Sequence, residues 1–134
     1  MNGDRLVEDR MNGEHKVRGT RNDLAGRSAE DAIARWYETM GASVQDRRWR
    51  SEVGEIDLIV RDGPQLVFVE FKKSRSHAVA LARLSDRQMQ RIYRAGARYL
   101  ADKGTDMDTD IRFDVALVDS TGAIEILQNA FPMY

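Results

Sequence analysis

Apolar residues recur at helical spacing between Leu24 and Met40. Ala29, Ile33, Trp36, Tyr37 and Met40 fall on one stripe, and Gly41 follows as a stop signal. The period then shortens. Ala42–Arg50 leads into two runs rich in β-branched and aromatic residues, Glu55–Val60 and Leu66–Phe71. Between them lies Arg61-Asp62-Gly63-Pro64-Gln65, and the pattern predicts a β-hairpin. Ser74–Arg83 shows neither period and reads as a connector. Helical spacing returns from Leu84 to Lys103, with Met89, Ile92, Tyr93, Gly96, Tyr99 and Leu100 on one face and Gly104 behind it. Ser85 and Gln88 have the spacing of a capping box, and Leu84 and Met89 that of the apolar staple around it. Ile111–Val118 and Ala123–Leu127 read as strands about the turn Asp119-Ser120-Thr121-Gly122, and Phe131 is expected to pack on the core. Helix, strand, hairpin, helix and two strands predict an α/β domain with a mixed sheet over residues 23–134. Residues 1–22 are polar and expected to be disordered; a repeat of the opening Met-Asn-Gly at Met11 makes a later start of translation conceivable.

Within the hairpin the charged positions stand out. With Gly63-Pro64 as a two-residue loop and Asp62 opposite Gln65, antiparallel pairing sets Asp57 opposite Glu70, with Cβ atoms about 4.5–5.5 Å apart. Alternation puts Lys72 on the face of Glu70. Two carboxylates that close repel each other unless a cation lies between them, and Mg2+ takes one or two carboxylates together with water and phosphate oxygens. A solvated polar face explains the same charges more blandly. Against it, Val67-Phe68-Val69-Glu70-Phe71 is apolar on both faces, as in a central strand, which leaves Glu70 half-buried. Glu30 lies about 100° around the first helix from Ala29, at the border of the buried stripe. It is either a surface glutamate or one that points along the sheet toward the pair.

Composition narrows the classes. Among 134 residues there is no cysteine, which excludes disulfides and thiolate metal sites and fits a reducing compartment. The longest apolar run is far too short to span a membrane, and no hydrophobic signal segment opens the chain, so a cytoplasmic location is expected. His15 reads as a solvated side chain and His77 as a lone histidine without a second at ligand spacing.

The net charge of −1 conceals an asymmetry: 72–98 holds eight bases against one acid, whereas 101–134 holds two bases against seven acids. A basic sector suits a phosphate-rich partner on one face. Arg87, Arg91, Arg94 and Arg98 fall within about 60° on the outer face of the second helix. They form a candidate phosphate rail or a solubilising surface; no acid one turn away is expected to neutralise them, which favours the rail. Arg47-Arg48-Trp49-Arg50 sets bases around one aromatic, either to hold phosphates and stack a base or as a core Trp with arginines snorkelling around it. Asp114 is either a buried structural acid or a support for the pair.

The segments AGRSAEDAIARWYETMG, GEIDLIV, LVFVEFKKSR, RFDVALV and NAF, in that order, resemble the YraN-like (UPF0102) family of small bacterial proteins over about four-fifths of the chain. That family is similar in fold to PD-(D/E)XK nucleases such as archaeal Holliday-junction resolvases. The resemblance implies a restriction-endonuclease-like core of about five strands flanked by helices. It carries the nuclease motif onto Glu30, Asp57, Glu70 and Lys72: the three carboxylates to hold Mg2+ or Mn2+, the lysine to position water and stabilise charge on the phosphate. Ile56 stands where the motif's name has proline, and Gln88 where relatives often have lysine, which removes one phosphate contact. The expected activity is metal-dependent endonucleolytic hydrolysis of DNA, of branched or damaged structures, with Arg47, Arg48, Lys73, Arg75, Arg87, Gln88, Arg91, Arg94 and Arg98 as nucleic-acid contacts. By analogy with resolvases a homodimer is expected. Two alternatives stand beside this: a nucleic-acid-binding module of the same fold without useful turnover, and a protein-interaction domain.

Overall fold

A computed structural model describes residues 21–82, 84–106 and 108–130, with backbone alone for 21–27 and 81. The expectations for the 1–20 tail, Met11, His15 and Phe131 lie outside those residues. Along the chain come α1 (Arg21–Thr39), β1 (Ser43–Ser51), β2 (Gly54–Asp62), β3 (Gln65–Lys73), α2 (His77–Ala82), α3 (Asp86–Asp102), β4 (Ile111–Val118) and β5 (Ile124–Leu127). The strands form one mixed sheet in sequence order, β1-β2-β3-β4-β5. The protein is therefore α/β, with a five-stranded mixed sheet flanked by helices.

The Gly63-Pro64 turn, with Gly63 at φ 62°, joins β2 to β3 with Asp62 opposite Gln65, and the register runs unbroken to Leu58 opposite Val69. β3 then pairs in parallel with β4, from Leu66 opposite Ile111 to Lys73 opposite Val118. Parallel neighbours need a crossover connection, which α2 and α3 provide. The capping box at the start of α3 forms as expected, with Ser85 Oγ accepting from the Gln88 N–H and the Gln88 side chain accepting from the Ser85 N–H.

Each face of the sheet carries its own apolar layer. On one, Ile92, Ala95, Tyr99 and Leu100 of α3 pack with Ile56, Ile59, Leu66, Phe68, Phe113 and Leu117. On the other, Ile33 and Tyr37 of α1 pack with Leu58, Val60, Val67, Val69, Ala116 and Val118. Val67, Phe68 and Val69 are buried whichever way they point, as a central strand requires. Gly96 lets α3 come close: a Cβ there would lie 3.0 and 3.2 Å from ring carbons of Phe68. Trp49 joins this layer edge-on to Tyr99, centroids 5.2 Å apart, which makes it a core residue rather than a free stacking platform.

Three details differ from the sequence pattern. Ser74–Arg83 contains the short helix α2, whose Ala80 is buried against the α3 layer. α1 starts at Arg21, before Leu24. Met40, on the predicted core stripe, is 61% exposed, because α1 ends at Thr39 and Gly41 at φ 97° turns the chain away.

Asp114 is fully buried on the α1 side and acts structurally. Its Oδ2 accepts from the Tyr37 hydroxyl at 2.6 Å and Arg112 Nη2 at 3.0 Å, and its Oδ1 from Arg112 Nε at 2.8 Å and the Asn129 N–H at 2.9 Å. Four donors thus compensate one carboxylate, and they tie α1, β4 and the end of β5 together. Burial, then the Asp114 charge, push the Tyr37 phenol far above its ordinary range. Removing one partner of a buried pair leaves an uncompensated charge. Arg112→Met is expected to lower unfolding free energy by about 3–5 kcal/mol, and Tyr37→Phe by about 1–3 kcal/mol. Urea denaturation checks both; a cost for Arg112→Met no larger than that of an exposed substitution would refute the buried-charge account.

Candidate functional site

The ladder between β2 and β3 stops one rung short of the expected Asp57–Glu70 pair, with Leu58 opposite Val69 as its last rung. At that point Asp57 turns into the gap between the strands, and its Oδ2 accepts the Phe71 N–H at 2.8 Å in place of a backbone carbonyl. Glu70 lies close enough for its charge and that of Asp57 to oppose each other, and it lies 3.3 Å from Lys72 Nζ. The structure therefore brings Asp57, Glu70 and Lys72 together, as the alternation of β3 predicts. The Glu70 and Lys72 side chains are only 18% and 20% exposed, so the solvated-face alternative does not describe them.

The rung next door explains how Asp57 comes to point sideways. In β1, Arg47 is opposite Leu58, which belongs to the α1 layer, whereas Trp49 is opposite Ile56, and both belong to the α3 layer. Residues two apart in a strand ordinarily share a face; here 47 and 49, and likewise 56 and 58, do not. Both strands switch face between these two rungs, across the positions of Arg48 and Asp57. Arg48 makes the switch with φ 51°, a left-handed conformation that costs a non-glycine residue about 1–2 kcal/mol. The irregularity of two neighbouring strands frees the Asp57 carboxylate to enter the gap.

Burial raises both carboxyls of the pair. For Asp57, burial outweighs the Phe71 N–H and the Glu70 hydrogen bond, which favour its charged form. Glu70 is pushed to about 7, by burial first and by the Asp57 charge second, with Lys72 opposing. Near neutrality Glu70 is thus biased toward its protonated form. Two half-buried carboxylates, whose charged forms burial disfavours, are oxygen donors of the kind a hard divalent cation takes.

Glu30 stands apart from this pair. Its Oε1 accepts from Arg48 Nη2 at 2.7 Å and Nε at 3.2 Å, and beside it Asp31 accepts from Arg47 Nη1 at 3.0 Å. Among the described residues no three histidine or acidic side chains are grouped to hold a metal ion. The three-carboxylate set carried over from the resemblance is therefore two carboxylates with the third engaged elsewhere. Neither the left-handed Arg48 nor its hold on Glu30 had a sequence signal, since a φ angle of an arginine leaves no mark in composition.

The expected basic contacts divide likewise. Arg47 and Arg48 are tied to α1, and the Gln88 side chain serves the capping box. Arg98 is neutralised after all, by Asp102 one turn on at 2.9 Å and by Glu52 of the β1–β2 turn at 2.7 Å. Among the described residues, no carboxylate lies within ion-pairing distance of Arg87, Arg91 or Arg94, all of them exposed, as are Lys73 and Arg75. The stem of Arg91 covers Gly54 at the start of β2, where a Cβ would meet its Cγ at 3.4 Å. His77 sits away from the pair: Nδ1 lies 3.0 Å from Glu125 Oε1 and Nε2 3.0 Å from the Ala123 carbonyl.

Fold and site together define a small α/β protein whose polar centre is a carboxylate pair with an adjoining lysine, lodged where two central strands part. The chain belongs to the uncharacterised protein family UPF0102, whose model matches residues 29–118. It is similar to a UPF0102 protein of Cereibacter sphaeroides, 55% identical over 107 residues, 80% of this chain and 92% of that one. A UPF0102 protein of Ruegeria pomeroyi is 53% identical over 114 residues, covering 85% and 93%. Among solved structures, Pyrococcus furiosus SfsA in complex with Ca2+ is similar over 80% of this chain and 63% of that one, at 14% identity and a TM-score of 0.34, a likeness too distant to bear on function. No described helix is long and apolar enough to cross a membrane.

The proton held by Glu70 has a consequence for stability. The folded state binds it more tightly than the unfolded chain, so the contribution is complete below the ordinary Glu value of 4.5 and is lost as pH rises through about 7. In chelator-treated protein, the Glu70→Gln variant is expected to gain on wild type by about 2–3 kcal/mol between pH 5 and pH 8. Denaturant midpoints of both proteins at several pH values check this; parallel pH profiles would show that Glu70 titrates normally.

Proposed function

We propose that this protein is a Mg2+- or Mn2+-dependent endonuclease that hydrolyses phosphodiester bonds in DNA, with branched or damaged structures as its substrates. The observation that carries the proposal is the half-buried Asp57–Glu70 pair beside Lys72. Asp57 and Glu70 would hold the cation. When bound, the cation activates water and neutralises charge building on the phosphate. Two protein ligands leave room around a Mg2+-sized ion for water and phosphate oxygens. The Phe71 N–H fixes Asp57 in place, and Lys72 keeps a positive charge on the same face of the sheet, where an anionic transition state gains from it. Arg87, Arg91 and Arg94, with Lys73 and Arg75, would meet the sugar-phosphate backbone without reading sequence.

A second reading is a nucleic-acid-binding module without useful turnover. The engagement of Glu30 by Arg48 favours it, because it leaves the pair one carboxylate short of the set implied by the resemblance.

Calorimetric titration of Mn2+ and Mg2+ into wild type and Asp57→Asn, with cleavage of a panel of labelled linear, nicked and branched DNAs, separates the two. Expected for the nuclease are binding lost in Asp57→Asn and nicking reduced by roughly a hundredfold or more. Metal binding with DNA retention and no nicking of any substrate supports the binding module. Absence of metal binding, with DNA present, makes the pair structural. In the same assays, log affinity for DNA is expected to fall with log salt at a slope of about −4 to −5 for these five basic contacts, and each of Arg87→Ala, Arg91→Ala and Arg94→Ala to reduce that slope by about 1. A flat salt response would remove α3 from the interface.

A further inference from the structure

His77 opens α2, the short helix in the crossover from β3 to α3, and its ring meets an acceptor at each nitrogen. Nδ1 lies 3.0 Å from Glu125 Oε1 of β5. Nε2 lies 3.0 Å from the Ala123 carbonyl, with Asp119 Oδ2 at 3.9 Å. The β4–β5 turn holds these acceptors in place. The Asp119 N–H donates to the same Ala123 carbonyl at 3.0 Å, and Asp119 Oδ1 accepts from the Thr121 N–H, the Thr121 hydroxyl and the Ala123 N–H. Burial pushes the Asp119 carboxyl up, yet these donors, with the His77 charge behind them, hold it below its usual range. A carbonyl and an ionised carboxylate only accept, and a neutral imidazole has a single N–H. Whichever nitrogen carries that proton, the other sets a lone pair against an oxygen 3.0 Å away. The imidazolium, with two N–H groups, satisfies both contacts.

We infer that His77 is a pH-sensitive clasp: as imidazolium it ties α2 to the β4–β5 hairpin, and loss of its proton opens one of the two contacts and loosens the crossover. The charged groups that face the ring are Glu125 of β5 and Asp119 of the β4–β5 turn, both opposite in sign to the imidazolium. Six residues are too few for a helix that stands alone, so α2 depends on tertiary contacts. Ala80 is its buried anchor, and Ser76 Oγ caps it by accepting from the Val79 N–H at 3.1 Å. The His77 clasp adds a tie that depends on charge. The crossover starts directly after Lys72 and Lys73 and ends at Ser85, the cap of the helix that carries Arg87, Arg91 and Arg94. Acidity thus acts on the segment that joins two basic groups. The clasp itself needs neither metal nor nucleic acid.

Amide hydrogen exchange of α2 at about pH 5 and about pH 8, the interval in which histidine side chains change charge, is the test. Rates are corrected for intrinsic exchange and referred to α3, in wild type, His77→Gln and Glu125→Gln. Wild-type α2 is expected to be roughly two- to tenfold better protected at the lower pH, the worth of one hydrogen bond. His77→Gln should show the lower protection at both pH values. Glu125→Gln should keep the higher protection at both, because a side-chain amide can donate to a neutral Nδ1 while the Nε2–H still serves the Ala123 carbonyl. Ring-nitrogen NMR signals of His77, assigned by their loss in His77→Gln, should pass from two N–H groups to one as protection falls. Equal corrected protection at both pH values in wild type overturns the proposal. So does a pH effect that survives His77→Gln, which belongs to another group such as Glu70. A Glu125→Gln variant that keeps the wild-type pH dependence overturns it as well, since the clash of lone pairs is then not what opens the contact.

Discussion

The hydrogen bond from the Phe71 N–H to Asp57 Oδ2 marks the place where the central hairpin stops behaving as a sheet. Up to Leu58 and Val69 the two strands exchange regular rungs, set by the Gly63-Pro64 loop. Beyond it a side-chain carboxylate takes over the role of a backbone acceptor, so no buried donor is left unpaired as the strands part. The gap has to be polar to exist, and the carboxylate that lines it on the α3 side is Glu70. Burial of the pair then follows from the position of β3 between β2 and β4, and the raised proton affinity of Glu70 follows from burial.

Two constraints hold that gap in place. On the α3 side, close approach at Gly96 lets the helix press Phe68 and Phe113 into one layer with Tyr99. On the α1 side, the buried Asp114 gathers donors from α1, from its own strand and from the segment after β5. The first constraint is apolar and close-packed, since a Cβ at Gly96 would meet Phe68 at 3.0 Å. The second is ionic and unforgiving, since loss of Arg112 would strand a fully buried charge.

Charge is arranged with the same economy. Part of the basic charge is neutralised by pairing: Arg98 of the base-rich segment, and Arg47 and Arg48 before it, bridge β1 or its turn to the helices. What stays available is a shorter stripe, Arg87, Arg91 and Arg94, on the exposed side of α3. Counting bases overstates an interface, because an arginine near a carboxylate in space is neutralised wherever that carboxylate lies in the sequence. Asp102, four residues after Arg98, was visible as a neutralising partner; Glu52, on the far hairpin turn, was not.

The sequence by itself determined every element but α2, the hairpin register, the capping box and the meeting of Asp57, Glu70 and Lys72. Each depends on periods and turn chemistry that act over a few residues, and a two-residue loop leaves an antiparallel pair one natural register. Tertiary structure decided what long-range competition decides. It made Arg48 the partner of Glu30, by means of a left-handed backbone that arginine does not advertise. It ended the ladder one rung early, exposed Met40 where α1 stops short, and made Asp114 a structural keystone rather than a member of the site. Local preference fixes which face a side chain takes; only the packed helices and strands fix which of two oppositely charged neighbours it meets.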